Sequence, residues 1–251
     1  MAFGVAAPAG GVEMHMDGIL GLRRALGRSV VTLDNGSPVP NIVDALLEQG
    51  QIRKNMFGVS LAPVTSQGVI NGRLTFGGTS PQRYKGGLNW VDITSGSLRD
   101  YWAFEQTIKY GDQVIQPSSA GIVDTGTTLL HITRQAFDDY ARSIPGSQTD
   151  ASTGLLEIPE NSIIYMRPLS FVIDGKPYEF TSQAQLWPRE LNRLIGGKEN
   201  IYYSVINWLN EDSAAMGLNF VGGYAFLQRV YTAYDASNLK IGFANYKTSS
   251  T

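Results

Sequence analysis

Short runs of β-branched and aromatic residues, broken by two-residue Asn-Gly and Asp-Gly steps, narrow the fold of this chain more than any other feature. One run is Val69-Ile70-Asn71-Gly72-Arg73-Leu74-Thr75-Phe76; another spans Phe171 to Phe180 around Asp174-Gly175. Such pairs adopt the positive φ angles of a type I′ turn, whose twist matches that of the two strands it joins. The expected fold class is therefore all-β, mainly antiparallel, with a few short helices. Two helices are legible. Asn41 caps a run in which Ile42, Val43, Leu46 and Leu47 share a face and Gly50 ends it, and Thr133 caps a second that reaches about Ile144 before Pro145. Gly146 to Thr153 and Glu211 to Ala215 read as surface loops, and Ser249-Ser250-Thr251 as a disordered tail.

Composition removes several kinds of chemistry. A net charge of −2 offers no basic field for phosphates, and no Lys/Arg stripe is interleaved with aromatics, which argues against a nucleic-acid partner. No apolar run reaches membrane-spanning length, and the opening MAFGVAAPAGG lacks the basic and apolar regions of a signal peptide. Without cysteine there is no disulfide, thiol nucleophile or thiolate-bound zinc. Two histidines, His15 and His131, are too few for a three-histidine metal site, and Met14-His15-Met16 reads as a loop rather than a soft-metal site. Gly77-Gly78 and Gly196-Gly197 lack the strand and helix of a phosphate-cradling loop and read as turns.

The informative segment is Ala120 to Leu130, in which Asp124 is flanked on both sides by strand-forming apolar residues. A charged carboxylate there is costly unless neighbours satisfy it. Thr125 and Thr127 supply hydroxyls, while Gly126 lets backbone N–H groups approach and leaves space above the carboxylate. An isolated Asp-Thr-Gly is equally a turn between strands. Here a later apolar-apolar-glycine strand, Phe220-Val221-Gly222-Gly223, could lie beside it, and a related element, Asp17-Gly18-Ile19-Leu20-Gly21-Leu22, stands near the start.

These residues, with Phe3-Gly4-Val5-Ala6, Gly72 to Gly78, Tyr101-Trp102, Ala184 to Arg189, Phe226 to Arg229 and Tyr234 to Ala244, occur in an order that resembles the pepsin-like aspartic proteases. The similarity is strongest to fungal members, which also lack disulfides, and runs from Phe3 to Tyr246. It departs from the family where Arg23 follows Leu22 in place of the usual glycine, and where Gly222-Gly223 replaces Leu-Gly.

The resemblance implies a pepsin-like fold with a truncated N-terminal lobe, since the family's first Asp-Thr-Gly and its tyrosine-bearing flap have no counterpart in the sequence. Residues 1–90 would form the rest of that lobe and the inter-lobe sheet, and residues 91–251 the C-terminal lobe. It also implies an aspartic endopeptidase that hydrolyses proteins at acidic pH through a water activated between two aspartates, of which Asp124 is present. Thr125 would support the dyad; Gly126, Thr127 and Thr128 would contact the substrate backbone; Tyr101 and Ile19 would line side-chain pockets. The implied partners are protein or peptide substrates and pepstatin-type inhibitors, with no cofactor and no metal, and the implied location is extracellular. Asn35-Gly36-Ser37 is an N-glycosylation acceptor in keeping with that location. Two alternatives stand beside the protease reading: a homodimer that pairs two Asp124 residues, and a pepsin-like fragment that binds peptides without cutting them. A glycosidase is disfavoured because no second acid has a comparable setting. Loss of part of the first lobe would also expose strand edges and an apolar face around Ile19-Leu20.

Overall fold

A computed structural model describes residues 20–24, 39–64, 66 and 68–247. Its first strands are β1 Met56–Leu61, β2 Gly72–Phe76, β3 Tyr84–Asp92, β4 Ala103–Tyr110 and β5 Gln113–Val123. There follow β6 Leu130–Ile132, β7 Gln148–Thr149, β8 Leu156–Ile158, β9 Leu169–Ile173 and β10 Lys176–Phe180. The last are β11 Tyr202–Tyr203, β12 Ile206–Trp208, β13 Val221–Gly222, β14 Val230–Asp235 and β15 Lys240–Tyr246. The helices are α1 Ile42–Glu48, α2 Arg134–Arg142, α3 Glu211–Ala215 and α4 Tyr224–Leu227.

Among the described residues these strands form three sheets. The first, ordered β2-β1-β14-β15-β3, is antiparallel and joins strands from both ends of the described chain, with Phe57 opposite Tyr234 and Phe76. The second is ordered β10-β9-β4-β5-β13-β6-β12, and the third, β11-β8-β7, is small. In the second, β13 runs parallel to β5 and antiparallel to β6, so a strand from late in the chain is wedged between two that flank the Asp-Thr-Gly segment.

The first two sheets are joined by polar as well as apolar contacts. Tyr178 donates to the Phe243 carbonyl at 3.0 Å, and Asn89 Nδ2 to the Ile173 carbonyl at 2.9 Å. Phe104 meets Phe243 and Phe220 with ring centroids 4.6 and 5.0 Å apart. Burying a ring such as that of Phe104, 1% exposed, stabilises by about 1.5–3 kcal/mol.

Local expectations are met at some turns and corrected at others. Asp174 and Gly175 have φ of 46° and 74°, and Ile173 faces Lys176, as a type I′ hairpin requires. The Asn71-Gly72 pair makes no such turn. Leu61 faces Gly72, so the connection spans residues 62–71, and Gly72 opens β2. The Asn71 amide is used instead to hold the Ala62 and Pro63 carbonyls, at 2.7 and 3.3 Å, which closes the longer loop.

Asn41 caps α1 by accepting from Val43 and Asp44, while Asp44 accepts from the Asn41 N–H. The buried residues of α1 are Val43 and Ala45, and Leu47 is exposed. Thr133 caps α2 as expected. Glu211–Ala215, read as a loop, is helical because Asn210 accepts from Ser213 N and two acids sit in the first turn. The other supposed loop contains β7 and the buried Asp150. The segments 1–19 and 25–38 lie outside the described residues, and with them Ile19, His15, the Met14-His15-Met16 stretch and Asn35-Gly36-Ser37; so does the 249–251 tail. Leu20 is exposed. Among the described residues no helix is long and apolar enough to cross a membrane.

Candidate active site

The end of β5 sets the position of Asp124. Its backbone N–H donates to Gly222 O at 3.1 Å, extending the parallel pairing of β5 with β13 by one residue. The chain then turns. Gly126 N–H donates to Asp124 Oδ1 at 2.9 Å, and the Thr127 hydroxyl to Asp124 Oδ2 at 2.7 Å. The outer side of the turn is held by the start of α4, where Tyr224 N donates to Thr127 O at 2.6 Å and Ala225 N to Thr128 O at 3.0 Å. Gly223 is required by this close approach, because a Cβ there would lie 2.1 Å from Leu129 O and 2.5 Å from Thr127 O.

An ionised carboxylate offers about four lone-pair directions, of which Gly126 and Thr127 occupy two. The half-buried Asp124 also lines a cavity of about 240 Å³, with Thr125, Tyr101, Trp102, Tyr234, Phe57, Val59, Ile122, Val123, Leu22 and Arg23. Most of the wall is apolar, and it is rigid: Tyr234 stacks on Phe57 with centroids 4.5 Å apart and meets Trp102 edge-on at 5.0 Å. Burial, with a smaller contribution from the Asp124 charge, raises the Tyr234 phenol well above its ordinary pKa, so it stays neutral. The arrangement presents a fixed carboxylate, able to accept a proton from a water or a hydroxyl, beside an apolar recess for a side chain.

Of the residues expected at the site, Asp124, Thr125 and Tyr101 share this cavity, and Gly126 and Thr127 bond the carboxylate. Thr128 faces elsewhere, lining a second cavity of about 510 Å³ with Trp187, Tyr224 and Arg229 among others. Ile19 lies outside the described residues. Sequence reasoning missed Tyr234, Phe57, Val59 and Arg23 as lining groups. Tyr234 and Phe57 become neighbours only through the pairing of β1 with β14, which no local pattern announces.

The Eukaryotic aspartyl protease family profile matches residues 2–246. The chain belongs to that family. It is similar to polyporopepsin from Irpex lacteus, 40% identical over an aligned length of 250 residues, with 97% of this chain and 72% of that protein covered. It is also similar to pepsin B of Canis lupus familiaris, at 28% identity across 92% of this chain, and spans 54% of that relative's length. The crystal structure of an aspartic proteinase from Irpex lacteus superposes with a TM-score of 0.87 at 38% identity, covering 96% of this chain and 71% of the other. The aspartyl protease fold expected from the sequence is therefore the observed one.

Proposed function

We propose that Asp124 is one of the two catalytic carboxylates of an acid-acting endopeptidase. The observation that supports this best is the Asp124 carboxylate, held by one N–H and one hydroxyl at the edge of an apolar cavity that also contains Tyr101 and Thr125. In the proposed reaction two facing carboxylates share one proton, because like charges so close cannot both ionise, and hold a water between them. The ionised carboxylate takes a proton from the water as it attacks the peptide carbonyl. The protonated one hydrogen-bonds the carbonyl oxygen, and a proton then passes to the leaving amine.

Asp124 supplies one carboxylate; the other comes from outside these 251 residues. Thr125 steadies the junction of the two halves, Gly126 and Thr127 run beside the substrate backbone, and Tyr101 and Ile19 border side-chain recesses. Residues 1–90 contribute the rest of one lobe and the inter-lobe sheet, and residues 91–251 the second lobe. The substrates are proteins or peptides, pepstatin-type inhibitors compete with them, no cofactor is required, and the enzyme works outside the cell.

Hydrolysis of denatured haemoglobin from about pH 3 to pH 7, with and without pepstatin and beside Asp124→Ala, tests the reading. Pepstatin-sensitive cleavage that disappears in the variant supports it. Binding of pepstatin without cleavage at any pH would instead favour a peptide-binding lobe. The single Asp-Thr-Gly in the sequence favours one further arrangement, two copies facing their Asp124 residues about a two-fold axis. Light scattering on the active species decides it, since a strictly monomeric active protein rules the pair out.

A further inference from the structure

Among the described residues, the cavity that contains Asp124 has one cation in its lining. Arg23 sits with its guanidinium carbon 4.0 Å from the centroid of the Tyr101 ring, and both residues line the cavity. Its position is fixed from several sides. Arg23 Nε donates to Asp100 O at 3.3 Å, Trp102 Nε1 donates to Leu22 O at 2.9 Å, and Arg24 donates to Arg99 O at 3.0 Å. The Nε bond and the stacking restrain the guanidinium plane, leaving its terminal N–H groups for another acceptor. Among the described residues no carboxylate lies within ion-pair distance of that guanidinium; the Asp100 carboxylate is engaged by Arg99.

We propose that Arg23 is a specificity-determining residue of this cavity, selecting peptides that place an acidic side chain, glutamate above all, beside the bond held at Asp124. Glutamate has the matching form: a short apolar stem for the wall built by Phe57, Trp102 and Tyr234, and a planar anion that a guanidinium binds through two parallel hydrogen bonds. A lysine at the same place would meet a like charge. The inference rests on the reading of this cavity as a peptide-binding site.

The test uses the 251-residue protein and short peptides whose central bond is reduced and cannot be cut, with Glu, Gln or Lys placed in turn at each residue flanking that bond. Affinities are measured by calorimetry at about pH 6, where the peptide glutamate is ionised, for the wild type, Arg23→Gln and Arg23→Lys. At one flanking position the wild type is expected to prefer Glu over Gln by about 1.5- to fivefold, the range for a partly exposed charge pair, with Lys weakest. Arg23→Gln removes the preference, so that its affinities for the Glu and Gln peptides converge, Arg23→Lys keeps part of it, and added salt weakens it. Equal affinities for Glu and Gln peptides in the wild type, or a preference that survives in Arg23→Gln, overturn the inference and leave the proposed function standing. If no peptide binds, the peptide-site reading fails, and the inference with it.

Discussion

Asp124 is hydrogen-bonded through its backbone N–H to Gly222 O at 3.1 Å, so the residue bearing the carboxylate is tied to the end of a strand nearly a hundred positions later. The next residue, Gly223, fits against the Thr127 and Leu129 carbonyls, which couples the carboxylate turn to the packing of β13 and α4. Gly223→Ala is expected to cost about 3 kcal/mol or more, because its Cβ would strike two backbone oxygens that have no freedom to move. Urea unfolding measures this; a loss below about 0.5 kcal/mol would show that the turn is not locked as described.

The Thr127 hydroxyl donates to Asp124 Oδ2 at 2.7 Å. Thr127→Val keeps the shape and deletes that donor, so it should lower stability by about 1 kcal/mol. It should also slow any hydrolysis that depends on Asp124, whereas Thr127→Ser should retain both properties. Equal behaviour of the Val and Ser variants would remove the hydroxyl from the account.

Asp150 is positioned for stability in acid. Its carboxylate accepts from Ser152 N–H at 3.0 Å and from the Tyr203 hydroxyl at 2.8 Å, with the Ser152 hydroxyl adding a third donor. These bonds bring its pKa down to about 2 from an ordinary 3.8, the Ser152 N–H contributing most. Because the folded value is the lower one, the stabilisation is complete above the unfolded value and drains away as the pH falls from about 4 towards 2. The stability gap between wild type and Asp150→Asn should therefore be constant above about pH 4 and narrow below it, as read by thermal unfolding across that range. A gap that widens in acid would contradict the assignment.

Trp102 Nε1 holds Leu22 O at 2.9 Å, and so steadies the segment that carries Arg23. Trp102→Phe keeps an aromatic wall but loses that donor. Limited proteolysis should then cut faster around Leu22 to Arg24 while the thermal midpoint moves little. Unchanged proteolysis would mean that the segment is held by its other contacts.

How much of this was legible in the sequence depended on the range of the interactions involved. Asp124 stood out because apolar residues flank it on both sides, and the hairpin at Asp174-Gly175 because a two-residue turn leaves the chain few alternatives. The same kind of dipeptide misled at Asn71-Gly72, where the Asn71 side chain serves a longer loop. The helix at Glu211–Ala215 was missed because three polar residues and two alanines carry no apolar periodicity, although Asn210 and the two acids after it were a usable start signal. The cavity walls were beyond local reading: Phe57, Tyr101 and Tyr234 belong to separate parts of the chain and meet only when the sheets assemble. Thr128 shows the complementary limit. It follows Asp124 closely in sequence, yet the turn directs it to a different cavity.

The central claim, that the Asp124 carboxylate takes part in peptide-bond hydrolysis, is tested most directly by Asp124→Asn, which preserves shape and removes the charge and its proton chemistry. The account predicts a fall in kcat/KM of about 10³-fold or more on a peptide substrate in acid, with the unfolding midpoint essentially unchanged. A folded Asp124→Asn protein that retained pepstatin-sensitive activity at the wild-type level would contradict it.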